Sequence, residues 1–165
     1  MITQPSPAWT ATDIYKGELF INQADNVVWS RGDGGVFCIG GTAELTIASA
    51  DVLTLNSTPL TIVPAVSGYA IEVISASVKV DFNSAAYATN VDLLLISSSA
   101  NIEQAKARIH ASVASTILLQ KATPALATST QIIGNDDLVV KVDSGNPTAG
   151  DSDITVYVNY RLIPA

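Results

Sequence analysis

Residues 154–162, with the sequence Ile-Thr-Val-Tyr-Val-Asn-Tyr-Arg-Leu, carry the most regular pattern in this chain of 165 residues. Apolar positions recur at every second residue, and successive side chains of a β-strand point to opposite faces of a sheet. The stretch therefore predicts a strand with one face in a hydrophobic core. That face carries Ile154, Val156, Val158, Tyr160 and Leu162, and the polar face carries Thr155, Tyr157, Asn159 and Arg161.

Working outward from this strand, β-branched runs separated by turn residues predict further strands. Near the N-terminus they lie at 17–22, 27–31 and 36–39, with turns at 23–26 and 32–35. Later strands are predicted at about 44–48, 52–55, 60–63, 69–82, 91–97, 117–120, 130–133 and 138–142. Many short strands joined by Gly, Pro and Asn turns predict an all-β fold. We expect a jelly-roll or β-sandwich head with a small N-terminal β-hairpin or meander module.

Two segments depart from simple alternation. Within residues 69–82 the apolar positions change parity after Val73, which predicts burial on both faces or a β-bulge. Residues 101–115 have apolar side chains at helical spacing, and Asn101 precedes them as a candidate helix cap. This second segment predicts a helix or helical turn, with an irregular loop as the alternative. The helical positions are Ile102, Ala105, Ile109 and Val113.

The aromatic residues are concentrated at the N-terminal end, where both tryptophans precede Gly41. This shift predicts two modules, a neck or docking module at 1–41 and a jelly-roll β-sandwich domain at 42–165. Three short strands bury little apolar surface, so the first module should lean on the second or on copies of itself. Its aromatic side chains are docking or interface candidates, or they fill a small core. The candidates are Trp9, Phe20, Trp29 and Phe37, with Trp29 favoured as an anchor because it lies mid-strand.

Charge and length exclude several classes of function. The net charge is −7, and an acidic chain repels phosphate, so we expect no nucleic-acid binding. No run of Lys or Arg favours an anionic membrane surface, and no apolar run approaches the ~20 residues that span a bilayer. Cys38 is the single cysteine, which excludes an internal disulfide and favours folding in a reducing compartment. The first seven residues lack the pattern of a secretion signal.

No constellation of residues points to catalysis. His110 is the single histidine, and no Gly-x-Ser-x-Gly elbow accompanies it, so a surface or packing role is expected. One His and one Cys do not make a structural zinc site. The late acidic residues lack the spacing of a calcium loop and read as solvated loop charges: Asp136, Asp137, Asp143, Asp151 and Asp153. We therefore expect a protein that is not an enzyme and has no metal and no cofactor.

Four stretches resemble proteins of tailed-bacteriophage virions. Residues 17–22, Gly-Glu-Leu-Phe-Ile-Asn, followed by Asp25-Asn26 and Val28-Trp29, resemble a short hairpin repeated in phage fibre and appendage proteins. Residues 146–163 are similar to the last strand of small phage virion domains, with a Pro-Thr-Ala-Gly turn and a Tyr-Arg-Leu-Ile tail. Residues 55–60 and 86–90 look like the same group.

The resemblance implies a homotrimer whose jelly-roll heads sit on a narrower N-terminal neck, and it transfers no catalytic residues. It implies a virion surface protein, made in the host cytoplasm, whose partners are capsid or tail proteins. A chain of this length fits a capsid decoration protein or short head fibre better than a long fibre. The alternative is the receptor-binding tip of a tail fibre, with a host-surface glycan or protein as partner. A polysaccharide-binding or polysaccharide-degrading tail protein is the third reading.

Overall fold

A computed structural model describes residues 14–23, 27–33, 35–99, 101–121 and 134–165. The elements in these ranges are nearly all strands. In chain order they are β1 Leu19–Asn22, β2 Val27–Gly32, β3 Gly35–Ile47, α1 Ser49–Val52, β4 Leu60–Val63, β5 Tyr69–Asp81, β6 Asp92–Ser97, β7 Ile102–Arg108, β8 Ser115–Leu118, β9 Gln120–Lys121, β10 Leu138–Val142 and β11 Asp153–Pro164. Within these ranges no helix is long and apolar enough to cross a membrane.

The strands form two antiparallel sheets that pack face to face. The six-stranded sheet has the order β1-β2-β3-β11-β5-β8, and the five-stranded sheet has the order β4-β10-β6-β7-β9. The runs β3-β11-β5-β8 and β4-β10-β6-β7 have the strand order of the two sheets of a jelly roll, a fold built from two Greek keys. The β1–β2 hairpin extends one sheet and β9 extends the other. The all-β sandwich expected from the sequence is confirmed.

Strand β11 lies in the middle of the six-stranded sheet, between β3 and β5. Its alternation is as predicted: Val156 and Val158 are buried in the core that the two sheets share, and Arg161 is exposed. Thr155, on the polar face, is also buried, and its hydroxyl lies 3.2 Å from that of Thr46 on β3. A central strand shields even the small residues on its outer face.

The predicted β-bulge in 69–82 is present. Asn159 of β11 pairs with Ser75 and Tyr160 pairs with Val73, so Ile74 has no partner opposite it. The side chain of Ile74 consequently turns outward and is 51% exposed. Because of the bulge, Val73 before it and Ala76 after it both face the core, although they are an odd number of residues apart.

The helix predicted for 101–115 is wrong, because this segment holds strand β7 and the loop that leads to β8. A bulge explains the misleading pattern: Leu95 pairs with Ala105 and Ile96 with Glu103, leaving Gln104 as the extra residue. The parity shift places Gln104 and Ala105 inward in succession, which mimics helical spacing. Asn101 is not a helix cap but has a positive φ of 51° in the turn before β7.

The strand predicted at 52–55 is also wrong. The chain there forms the short helix α1 and a following turn, with Val52 and Leu55 both buried. Residues three apart lie on one face of a helical turn, which places both side chains in the core. The strand predicted at 130–133 and most of the turn at 23–26 lie outside the described residues.

Strand β3 runs through residue 41 without a break, pairing with β2 before it and with β11 after it. Val27 and Trp29 belong to the same core cluster as Val156. The division into modules 1–41 and 42–165 stays a prediction about separate folding. In the structure, the two segments share one sheet and one core, and a cut at 41 would divide β3.

Candidate functional site

An exposed apolar surface covers the outer side of the hairpin end of the six-stranded sheet. Residues directly opposite one another on paired strands share a face, and the pairs Leu19–Ser30, Ser30–Phe37 and Ile21–Val28 place their side chains on this side. Five of the apolar side chains are between 48% and 67% exposed. We call this surface the outer apolar face: Leu19, Ile21, Val28, Phe37, Ile39 and Ile74.

Two β-bulges shape the centre of the outer apolar face. Ile39 is the extra residue where β2 pairs with β3, and Ile74 is the extra residue where β5 pairs with β11. The two isoleucines border a groove of about 490 Å³ that is floored by residues 40–42, and none of its described lining residues is charged. Gly41 is required in this floor, because a Cβ there would lie 2.7 Å from the Tyr160 ring.

The outer apolar face also reaches the edge of the sheet, where β1 is the terminal strand. Natural proteins usually protect such an edge with charged residues, proline or a covering segment. The exposed side chains of β1 are instead Leu19 and Ile21, at 67% and 62% exposure. An apolar face that continues to an apolar edge is typical of a surface buried in an assembly.

The four predicted docking residues occupy different environments. Phe37 is half-exposed on the outer apolar face. Phe20 is partly buried against the core. Trp29 is 1% exposed, and its ring meets that of Tyr69 edge-on at a centroid distance of 5.7 Å. Trp29 is thus a core residue without the accessibility that an anchor needs. Trp9 lies outside the described residues.

The contact residues predicted from the sequence do not include Leu19, Ile21, Ile39 or Ile74. A signal existed for the first two, since they flank Phe20 on β1 and must face away from the core if Phe20 faces toward it. No such signal existed for the other two, because both depend on bulges whose positions are set by pairing with distant strands.

At the opposite end of the sandwich, the loops β5–β6 and β10–β11 are tied together by one carboxylate. Asp151 accepts hydrogen bonds from the Ser84 hydroxyl at 2.5 Å, from the Ser84 and Ala85 backbone N–H groups, and from the Asn83 amide. These bonds, led by that of the Ser84 hydroxyl, lower the pKa of Asp151 to about 2.

Tyr87 fills the space beneath the same two loops. Its side chain is buried, its hydroxyl donates to the Ser152 carbonyl, and a Cβ at Gly150 would lie 2.2 Å from its ring. Desolvation, followed by the nearby charges of Asp153 and Asp151, raises the pKa of Tyr87 to about 12.

Asp136, another of the late aspartates, accepts hydrogen bonds from Ser98 and Ser99 in the loop β6–β7, at the end of the sandwich away from Asp151. Desolvation raises the pKa of Asp136, but hydrogen bonds from Ser98 and Ser99 outweigh it and lower the pKa overall. Asp136 and Asp151 are therefore structural acceptors rather than free loop charges. Across the described ranges, no group of three or more His, Cys, Asp or Glu residues is arranged to hold a metal ion. His110 is exposed, with Nδ1 2.6 Å from the Tyr87 carbonyl oxygen.

Comparison with known proteins gives little further constraint. No family model matches the chain, and no curated protein matches it. Among solved structures, the chain is similar to a chain of the cyanophage Pam1 capsid asymmetric unit, with 14% sequence identity. The match covers 95% of this chain and 99% of that chain, with a TM-score of 0.42.

Proposed function

We propose that this chain is a structural protein on the surface of a tailed-phage virion, a capsid decoration protein or short head fibre, and that it is not an enzyme. The observation that carries the proposal is the outer apolar face, a surface suited to permanent contact. The jelly-roll fold and the resemblance of residues 17–22 and 146–163 to phage virion proteins support the virion context.

The chemistry of the outer apolar face favours contact with a second copy of the same chain. The chain carries a net charge of −7, so two copies repel unless charges are kept away from their contact. The groove between Ile39 and Ile74 meets this condition, because its lining contains no charged side chain among the residues that the structure describes. Depletion of charge at the centre of an interface, with apolar side chains around it, is typical of homo-oligomers.

The exposed edge of β1 favours a closed ring over an isolated pair. Copies that meet through different surfaces form rings if the rotation closes, and a ring covers one edge and one face of every copy. We propose a homotrimer in which β1 and the outer apolar face of one copy lie against the next. Other virion proteins would then bind surfaces that the trimer leaves open.

Labelling of intact particles tests the virion assignment. An antibody against the purified protein, coupled to gold, should label the capsid surface in electron micrographs of the phage that encodes the chain. Labelling at the tail tip would instead support the receptor-binding alternative. Particles that carry no label, and whose purified proteins lack this chain by mass spectrometry, would refute a virion role.

A further inference from the structure

A polar cavity of about 460 Å³ opens at the end of the sandwich away from the 32–35 turn. Its walls come from the loop β5–β6, the end of β7 with the residues after it, and the start of the loop β10–β11. Its charged side chains are Asp92, Arg108 and Asp143. Its volume lies within the range of small-ligand sites, and none of its side chains belongs to the outer apolar face.

The backbone around this cavity is held in strained conformations. Thr89, Asn90 and Ser144 all line it and have positive φ values of 47°, 46° and 62°. A positive φ is especially unfavourable for a β-branched residue such as threonine. Strain of this kind persists only where surrounding contacts enforce it, and it is concentrated at ligand sites.

Hydrogen bonds between the loops hold these residues in the strained conformations. The hydroxyl of Thr89 lies 2.9 Å from that of Thr148, and the Asn90 side-chain amide donates to the Asn146 carbonyl at 3.1 Å. The Asp143 N–H donates to the Asp92 carbonyl at 2.9 Å. The wall of the cavity is therefore fixed before any ligand arrives, which lowers the entropic cost of binding.

Donors and acceptors of the cavity remain available to a ligand. Arg108 uses its Nε to bind Asp92 at 3.3 Å, and within the part of the chain that the structure describes its Nη groups and the Asp143 carboxylate have no partner. The Tyr87 carbonyl oxygen can only accept, so Nδ1 of His110 donates to it at 2.6 Å.

We infer that this cavity binds a neutral sugar unit. Adjacent hydroxyl groups of a sugar both donate and accept, which matches a carboxylate and a guanidinium that line one cavity. Two carboxylates against one guanidinium disfavour phosphates and acidic sugars. Within the described ranges no aromatic side chain lines the cavity, so a single site should bind in the millimolar range, and several copies on one particle would raise the avidity.

The inference stands apart from the proposed virion role, and it is tested on the purified protein alone. Nitrogen-15-labelled protein is titrated with glucose, galactose, mannose and N-acetylglucosamine, and with phosphate and sialic acid, to about 50 mM. At least one neutral sugar should give saturable amide shifts at residues 88–92, 108–110 and 143–144. Arg108→Gln and Asp143→Asn should each weaken binding at least tenfold.

Asp51→Asn is the matched control, because Asp51 is an exposed carboxylate on α1 and does not line the cavity. It should leave the titration unchanged, and the amide spectra will show that all three variants are folded. No saturable shift with any neutral sugar would overturn the inference. Binding of phosphate or sialic acid alone would overturn it as well, as would wild-type affinity in both cavity variants. None of these outcomes bears on the oligomeric state or the particle location.

Discussion

Replacing Gly150 by alanine should destabilise the protein through one specific contact. The new Cβ would lie 2.2 Å from the nearest atom of the Tyr87 ring, and Tyr87 is 1% exposed and so has little room to move. Overpacking of this kind costs about 1–3 kcal/mol. The φ of Gly150 is +114°, which adds backbone strain of about 1–3 kcal/mol. Allowing for the lower entropy of the unfolded variant, we expect a loss of about 2–5 kcal/mol.

Gly35→Ala separates the two contributions. Gly35 has a comparable φ of +125°, and an added Cβ there would have no atom of the described residues within 4 Å, its chain neighbours aside. It should therefore carry the strain without the clash, so Gly150→Ala should be the more destabilising by about 1–3 kcal/mol. Urea unfolding at one fixed protein concentration measures both differences.

A double-mutant cycle tests the cause directly. In a Tyr87→Ala background the ring is absent, so Gly150→Ala should cost only the backbone strain, and the cycle should give a coupling of about 1 kcal/mol or more. Equal losses for Gly150→Ala and Gly35→Ala, together with zero coupling to Tyr87, would refute the packing described for these loops.

Three further predictions concern the core and the loop end. Val156 is 0% exposed, so Val156→Asp should cost several kcal/mol of stability and leave little soluble folded protein. The control is Tyr157→Asp, which changes an outward side chain and should fold. A folded Val156→Asp variant would contradict the register of β11. Asp151 has a folded pKa of about 2 against an ordinary value of 3.8, so its contribution to stability is complete above the higher value and is lost as the pH falls through the lower one. The melting temperature of the wild type should exceed that of Asp151→Asn by less and less as the pH falls from 3.8 to about 2. A difference that stays constant over this pH range would contradict the hydrogen bonds assigned to the Asp151 carboxylate. The pKa of Tyr87 is raised from 10.0 to about 12, so stability is present below the lower value and is lost as the pH rises through the higher one. Tyr87→Phe lacks this loss, so the free energies of unfolding of the wild type and the variant should converge as the pH rises. A difference in free energy that does not change with pH would show that the hydroxyl is not buried.

The fold could be read from the sequence wherever local pattern and tertiary environment agree. The alternation of 154–162 identified a core strand because β11 has one face in the core along its whole length. The parity change after Val73 identified the bulge at Ile74 for the same reason. The pattern misled at Gln104, where a second bulge produced helical spacing, and a bulge depends on pairing with a distant strand that local sequence does not reveal.

The candidate surfaces were harder to predict than the fold. An aromatic residue in a short strand indicates an interface or a core equally well, and only the fold shows that Trp29 is buried and Phe37 exposed. The polar cavity could not be predicted, because residues 88–92 and 143–144 come together only through the jelly-roll connections. Their Asn, Asp and Ser residues indicate turns locally and nothing more.

The molecular mass in solution tests most directly whether the outer apolar face holds copies together. Multi-angle light scattering at micromolar concentration should give about three times the chain mass of 17.2 kDa for the wild type. Ile21 and Ile39 are 62% and 48% exposed, so burying each should contribute about 1–2 kcal/mol per contact. Ile21→Thr combined with Ile39→Thr keeps β-branched side chains and should weaken each contact by about 30-fold or more, giving a folded monomer. Leu118→Thr, at a position that is 77% exposed on β8 at the far edge of the same sheet, should stay trimeric. A monomeric wild type, or an intact trimer in the double variant, would contradict the account.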